Sequence, residues 1–157
     1  MTRIYLDFET KSRSDLSVTG SFKYFEDPST DALCLTYAID DGPVEVWTPD
    51  MLMHLPLFTA INNPRVRLYA WNATFEIGAW HNIMHGKYNW PELPDGIWYD
   101  VQATAVSKGY PADLGKTGQA LSLGGKQQSG TKLLKYFCAP QADGVFNDPV
   151  NHPEMFR

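Results

Sequence analysis

The sequence predicts an α/β domain in which helices flank a mixed sheet, and two features of its pattern support this prediction. Three short apolar runs of strand-like composition come first, at residues 3–8, 32–39 and 44–47. Helix-like and strand-like segments then alternate, which is typical of parallel strands connected by helices. A length of 157 residues is enough for one hydrophobic core, so we predict a single domain over residues 1–157.

The order of the predicted elements indicates three antiparallel strands followed by parallel ones. Asp41-Gly42-Pro43 is a turn signal between the second and third strands and predicts a hairpin. A fourth strand is predicted at 67–71 and a short fifth strand at 97–99. Helices are predicted at 50–61, 73–84, 101–108, 113–123 and 130–137. No helix or strand is predicted for the polar stretch 10–30.

Composition limits the classes of function that the chain can have. The formal net charge of −5 argues against a protein that coats DNA by neutralising its phosphates. It does not argue against a nuclease, because a divalent metal site needs clustered carboxylates. No apolar stretch approaches the ~18 residues of a membrane span, and the N-terminus shows no signal peptide. We therefore expect a cytoplasmic protein with no membrane partner, in which Cys34 and Cys138 stay reduced.

Two acidic residues lie at the end of the first predicted strand. Asp7 and Glu9 are two residues apart, so in a strand both side chains project from the same face. Two carboxylates this close repel each other unless a cation binds between them, and a divalent metal ion is the natural ligand. The alternative is that Glu9 has already left the strand and that both acids are simply solvated.

A second polar group lies where the fourth predicted strand meets the helix that follows it. Asn72 is at the expected N-cap, and Glu76 is one turn inside the helix. The alternative interpretation is that Asn72 only caps the helix and that Glu76 only interacts with the helix dipole. If the fourth strand is parallel to the first and adjacent to it, Glu76 approaches Asp7 and Glu9. Three converging carboxylates would suit two metal ions acting on a phosphodiester.

These motifs resemble those of a known superfamily. LDFET at 6–10 resembles the first exonuclease motif of the DEDD superfamily, and WNATFE at 71–76 resembles the second. The whole chain resembles the N-terminal part of phage and prophage family A DNA polymerases. The matching segments occur in the same order, at 15–28, 33–47, 98–100 and 130–140. The order of elements is compatible with the RNase H-like fold of these exonucleases, in which the first strand is central and the fourth is parallel beside it.

The resemblance implies a phage or prophage proofreading domain that acts in the bacterial host and removes nucleotides from single-stranded DNA 3′ ends with two Mg²⁺ or Mn²⁺ ions. It implies that Asp7 bridges both ions, that Glu9 ligates the ion that activates water, and that Glu76 serves the second ion. Many family members have aspartate in place of Glu76. The resemblance also implies substrate contacts from Thr10, Asn72 and Phe75, although a helix cap and a core position explain Asn72 and Phe75 equally well.

The third motif of the family is absent. In the family, a tyrosine or histidine precedes an aspartate on a helix near the end of the domain. None of the candidates has that spacing: Tyr136, Asp143, Asp148, His152 and Glu154. We therefore expect a C-terminally incomplete domain, with a polymerase domain beside it in the intact protein and weak or no activity alone. The alternatives are a pseudo-exonuclease that binds DNA or a protein without cleavage and, more remotely, a nuclease that acts on RNA.

Other polar residues have a plain structural explanation beside the functional one. Asp100 precedes a predicted helix and is expected to cap it rather than to ligate a metal. His81 and His85 are four residues apart, a metal-ligand spacing, but nothing else near them supports a metal site. A group of side chains near the end of the chain either contacts DNA phosphates or forms a solvated helix face: Lys126, Lys132, Lys135 and Tyr136.

Overall fold

The computed structural model describes residues 1–52, 54–124, 128–152 and 155. Five strands form one sheet in the order β3-β2-β1-β4-β5. They are β1 (Thr2–Lys11), β2 (Asp31–Ile39), β3 (Val44–Trp47), β4 (Val66–Ala70) and β5 (Trp98–Asp100). The first three pair antiparallel, whereas β4 is parallel to β1 and β5 is parallel to β4. The predicted mixed α/β sheet is confirmed, and its arrangement fits an RNase H-like fold.

Six α-helices of the described residues flank or extend this sheet. They are α1 (Leu16–Glu26), α2 (Leu55–Ile61), α3 (Ala73–Ala79), α4 (Val101–Ser107), α5 (Leu114–Ala120) and α6 (Gln128–Cys138). A π-helical segment, Trp80–His85, continues α3, and short 3₁₀ turns occur at Asp95–Ile97 and Pro149–Asn151. In the described parts of the chain, no helix combines the length and apolarity needed to cross a membrane.

Helix α1 lies in the polar stretch 10–30, to which the sequence pattern assigned no element. Asp15 caps α1 by accepting a hydrogen bond from the Ser17 amide. Gly20 interrupts the helix with φ 75° and ψ 165°, a conformation that glycine adopts without strain. The interruption and the polar composition conceal the helical periodicity, and the buried Tyr24 and Phe25 hold the second half of α1 in place.

Several element boundaries also differ from those predicted. Strand β1 continues past its predicted end to Lys11, and Glu9 pairs with Cys34 of β2. The alternative that Glu9 has left the strand is therefore wrong. The helix predicted at 50–61 begins only at Leu55, where Pro56 occupies the first turn. The helix predicted at 73–84 becomes π-helical after Ala79.

The hydrophobic core lies between one face of the sheet and the helices packed on it. Alternate residues of β1 point into this core, namely Ile4, Leu6 and Phe8. An aromatic cluster fills the centre, with ring centroids 5.4 Å apart between Trp80 and Trp90 and 4.9 Å apart between Trp90 and Trp47. Because side chains alternate along a strand, the other residues of β1 face the opposite side of the sheet.

The opposite face of the sheet carries a row of tyrosines. Tyr5, Tyr69 and Tyr99 are neighbours in the register of β1, β4 and β5, and successive ring centroids are 5.3 Å apart. Tyr5 and Tyr99 remain 40% and 51% exposed. Asp7 and Glu9 follow Tyr5 on this same face, so the two carboxylates lie on the side away from the main core.

The contact between α1 and α3 predicts the effect of a single methyl group. A Cβ placed at Gly78 would lie 2.5 Å from the buried ring of Phe25. We expect Gly78→Ala to lower the free energy of unfolding by about 1–3 kcal/mol, because the added methyl group overpacks the buried Phe25 ring. Urea denaturation measures this change. Gly96→Ala is the control, since no described atom lies within 4 Å of its Cβ, and equal losses in both variants would contradict the prediction.

Candidate active site

Strand β1 presents Asp7 and Glu9 side by side on the tyrosine face. Asp7 is exposed and Glu9 is half-buried, as the alternation of the strand requires. The Thr36 hydroxyl of the neighbouring β2 donates a 3.3 Å hydrogen bond to the Asp7 backbone carbonyl. Both carboxylates are therefore carried by the central strand of the sheet and not by a loop.

A β-bulge lies immediately after Glu9. The register of β1 against β2 shifts between Glu9, which pairs with Cys34, and Thr10, which pairs with Ala32. Leu33 is thus skipped in the pairing of the two strands. Bulges bend a strand and re-aim its side chains, and they are common beside active sites. At Glu9 the regular ladder alone does not fix the direction of the strand.

The turn between β4 and α3 depends on the backbone of Asn72. This residue is left-handed, with φ 61° and ψ 57°, a conformation that asparagine tolerates better than most residues. Its position at the N-cap is as predicted, but its side chain makes no capping hydrogen bond. The backbone carbonyl instead accepts a 2.9 Å bond from the Phe75 amide. The Asn72 amide group is exposed, and its role toward substrate stays a prediction.

Glu76 is buried in the first turn of α3, with only 3% of its surface exposed. Its Oε2 atom has no hydrogen-bond partner among the residues that the structure describes. Burial, with smaller contributions from the nearby negative charges of Asp7, Asp100 and Glu9, raises the pKa of Glu76 to about 8. The structure therefore brings Glu76 within electrostatic range of both acids of β1.

Asp100 is an acidic neighbour of Glu76 that sequence reasoning assigned only to capping. It does cap α4, since its Oδ1 accepts a 2.9 Å hydrogen bond from the Ala103 amide. It also follows β5 directly and pairs with Ala70, the last residue of β4. A position at the carboxyl end of the strand beside β4 is the signal that could have placed Asp100 near Glu76.

The fit of a metal ion to these residues is partial. Carboxylate oxygens are the ligands that Mg²⁺ and Mn²⁺ prefer, and a buried carboxylate oxygen without a hydrogen-bond partner suits a cation. Within the described ranges, however, no three His, Cys, Asp or Glu side chains are placed to hold one ion. The acids of β1 and α3 are near each other, but they do not close around a common point.

The carboxylates of Asp7, Glu9, Glu76 and Asp100 are called the acidic group below. The other predicted substrate residues lie close to it. Thr10 is buried, and its hydroxyl is 2.7 Å from the hydroxyl of Tyr24. Phe75 is half-buried and packs on the rings of Tyr24 and Phe25, with centroids 6.1 and 5.0 Å away. Phe75 therefore packs as a core residue would, as the alternative interpretation predicted. The contacts of Thr10 and Phe75 with a nucleotide stay predictions.

Those of the remaining candidates that the structure describes do not form a second site. His81 lies 3.4 Å from Asp95, whereas His85 bonds the Trp90 carbonyl at 2.8 Å, so the two histidines have separate partners. The carboxylate of Asp143 accepts from the Val145 amide in a turn. Tyr136 pairs with His152, and Lys132 and Lys135 are exposed. Lys126 and Glu154 lie outside the described residues.

Both cysteines are free and lie near Glu9. Burial, with smaller contributions from the charges of Glu9 and Asp7, raises the pKa of Cys34 to about 11. Burial likewise raises the pKa of Cys138 to about 12, with Glu9 the next cause. Both thiols therefore stay protonated at neutral pH, and the cysteines are unreactive neighbours of the acidic group.

The fold and the site together define an RNase H-like α/β domain with an acidic group at the carboxyl end of its central parallel strands. No known family profile matches the chain. Over 167 aligned residues the chain is 32% identical to a DNA polymerase of Bacillus phage SP02. The alignment covers the whole chain but 25% of that polymerase, so the chain spans about a quarter of the length of this relative. The similarity supports a domain related to a DNA polymerase.

The buried carboxyl of Glu76 predicts an unusual dependence of stability on pH. Burial raises its pKa from 4.5 to about 8, so the folded state holds the proton more tightly than the unfolded chain does. The resulting stabilisation is complete below pH 4.5 and is lost as the pH rises through 8. We expect the neutral variant Glu76→Gln to raise the free energy of unfolding at pH 9 by about 1–3 kcal/mol, with little change at pH 5.

Urea denaturation at the two pH values measures this difference. The matched control is Glu92→Gln, because Glu92 is an exposed acid outside the acidic group, and it should change stability little at either pH. A Glu76→Gln variant that is less stable than the wild type at pH 9 would show that Glu76 is not a strained buried carboxyl.

Proposed function

We propose that this chain is a 3′–5′ exonuclease domain of a DNA polymerase, which hydrolyses phosphodiesters at DNA 3′ ends with two divalent metal ions. The observation that carries the proposal is the burial of the Glu76 carboxyl, with its Oε2 atom unpartnered among the described residues, near Asp7 and Glu9; burial raises its pKa, and the charges of these two acids contribute less to the shift. Burying one carboxyl beside two other acids is costly when it ionises, unless a cation offsets the negative charge. The similarity to a phage DNA polymerase supports the nucleic-acid substrate.

In this proposal, Asp7, Glu9 and Glu76 hold two Mg²⁺ or Mn²⁺ ions. The ions would activate water and stabilise the leaving 3′ oxygen. The protein contributes rigid supports, since Asp7 and Glu9 lie on the central strand and Glu76 lies in the first turn of a packed helix. Burial keeps Glu76 protonated near neutral pH, so cation binding must displace that proton and strengthens as the pH rises toward 8.

The proposed substrate is an unpaired DNA 3′ end delivered by the rest of a larger polymerase. The exposed Asn72 amide would position the terminal nucleotide. Phe75 would support that nucleotide from the aromatic cluster beneath it, and Thr10 would do so through its backbone, because its hydroxyl is bonded to Tyr24. A net charge of −5 leaves most of the phosphate binding to the polymerase domain. We propose that this larger protein acts in the host cytoplasm.

A second candidate function is a module that binds DNA or a protein without cleavage. One observation favours it: the described acids do not close around one ion. A pseudo-exonuclease would retain the fold and the acidic face but would not complete the metal site. The two candidates differ in whether a bound 3′ end is shortened.

Calorimetric titration with Mn²⁺ tests the metal site directly. We expect the wild-type chain to bind Mn²⁺ and Asp7→Ala to bind about 10-fold or more weakly, because Asp7 is the proposed shared ligand. Glu92→Gln is the control for general loss of negative charge and should bind like the wild type. Equal Mn²⁺ affinities of Asp7→Ala and Glu92→Gln would exclude a metal site on β1.

Degradation of a 5′-labelled single-stranded DNA separates the two candidates. The substrate is incubated with Mn²⁺ and either this chain or a longer form of the protein, beside an RNA of the same sequence. Stepwise shortening of the DNA from its 3′ end, lost in Asp7→Ala, supports the exonuclease. Retention of DNA without shortening by the longer form supports the binding module, and shortening of the RNA alone would contradict the DNA substrate.

A further inference from the structure

We propose that Tyr24 is a positioning residue that fixes Glu9 of β1 relative to Glu76 of α3. This inference rests on the proposed function, because it assigns Tyr24 a role in the same acidic site. Tyr24 lies in the second half of α1 and is only 6% exposed. It contacts the residue that follows Glu9 and also the residue that precedes Glu76, so it links the two acidic elements.

The first contact is the hydrogen bond between the hydroxyls of Tyr24 and Thr10, at 2.7 Å. Thr10 follows the β-bulge, where the pairing of β1 with β2 shifts register. Because the register shifts there, the side-chain bond of Thr10 to Tyr24 adds a contact that sets the direction of the strand beside Glu9. Both hydroxyls are buried, so each lacks water as a substitute partner and the bond is costly to break.

The second contact is aromatic and involves Phe75, the neighbour of Glu76 in α3. The rings of Tyr24 and Phe75 have centroids 6.1 Å apart with planes tilted by 43°. Phe25 packs on Phe75 from the same helix at 5.0 Å. The bare backbone of Gly78 lets α3 approach the Phe25 ring closely. Helix α1 therefore sets the position of the first turn of α3, in which Glu76 lies.

The backbone of Tyr24 is anchored as firmly as its side chain. The Thr30 hydroxyl donates a 2.5 Å hydrogen bond to the Tyr24 carbonyl, and Ser12 lies 2.6 Å from that same hydroxyl. Ser12 and Thr30 are both buried. A network of buried hydroxyls thus connects α1 to the end of β1 at two points, which makes Tyr24 a fixed reference and not a mobile side chain.

Substitution of Tyr24 by phenylalanine isolates this positioning role. Tyr24→Phe keeps the ring on Phe75 but leaves the buried Thr10 hydroxyl without its partner. The matched control is Tyr88→Phe, which removes the hydroxyl of a different, half-buried tyrosine, bonded to Asp31 at 3.0 Å. Both variants should lose stability in urea, so stability alone does not separate a positioning role from a structural one.

Mn²⁺ affinity does separate the two roles. We expect the dissociation constant for Mn²⁺, measured by calorimetry, to rise about 10-fold in Tyr24→Phe, as is typical when support of metal ligands is lost. Tyr88→Phe should stay within about twofold of the wild type, because Tyr88 supports no proposed ligand. A Tyr24→Phe variant that binds Mn²⁺ like Tyr88→Phe would overturn the positioning role.

A second readout needs no metal. Urea midpoints are measured at pH 9, without divalent ions, for wild type, Tyr24→Phe, Glu76→Gln and the double variant. If Tyr24 holds the acids together against their repulsion, its loss relieves repulsion in the wild type but not beside a neutral Gln. The midpoint should therefore fall further on Tyr24→Phe in the Glu76→Gln background. Equal falls in both backgrounds would overturn the proposal.

The two experiments distinguish failure of this inference from failure of the proposed function. A wild-type chain that binds no Mn²⁺ contradicts the metal-dependent exonuclease, and the urea cycle still decides whether Tyr24 couples to Glu76. A wild-type chain that binds Mn²⁺, together with unchanged binding by Tyr24→Phe, leaves the proposed function standing and removes Tyr24 from the site.

Discussion

The parallel pairing of β1 with β4 is the constraint on which the acidic site depends. It aligns Tyr5 with Tyr69, so the chain leaves β4 beside the part of β1 that carries Asp7 and Glu9. The left-handed turn at Asn72 then starts α3 at once, and Glu76 lies in its first turn. Without this pairing, Asp7 and Glu9 on β1 would lie apart from Glu76 on α3, and neither motif could form the proposed site alone.

This arrangement places an electrostatic load on the folded state. Glu76 has lost nearly all contact with water, and three other carboxylates oppose its ionisation. Burial of the apolar core on the other side of the sheet, centred on Trp80 and Trp90, offsets this electrostatic cost, because apolar burial is the main favourable term in folding. Reduced stability at the carboxyl end of the central strands is a common cost of a functional site.

Much of the architecture follows from local sequence, whereas the supports of the site do not. Apolar β-rich runs predicted the strands, and a strand ending in Asp7 and Glu9 suggested their shared face. The helix containing Tyr24 escaped prediction because tertiary contacts with Phe75 and Thr10 stabilise it, and these are invisible in a local pattern. The β-bulge at Leu33 was not predicted for the same reason, because the register of a strand depends on its partner strand.

The order of the strands also has a consequence for how the chain folds. Strand β1 pairs with β2 across helix α1, and β2 pairs with β3 across a short turn, whereas the residues that pair in β1 and β4 are separated by α1, β2, β3 and α2. Closing long loops is entropically costly, so we expect the antiparallel strands to associate first and the parallel pair to form late. Glu76 then meets Asp7 and Glu9 only near the end of folding, when much of the core has already formed to withstand their repulsion.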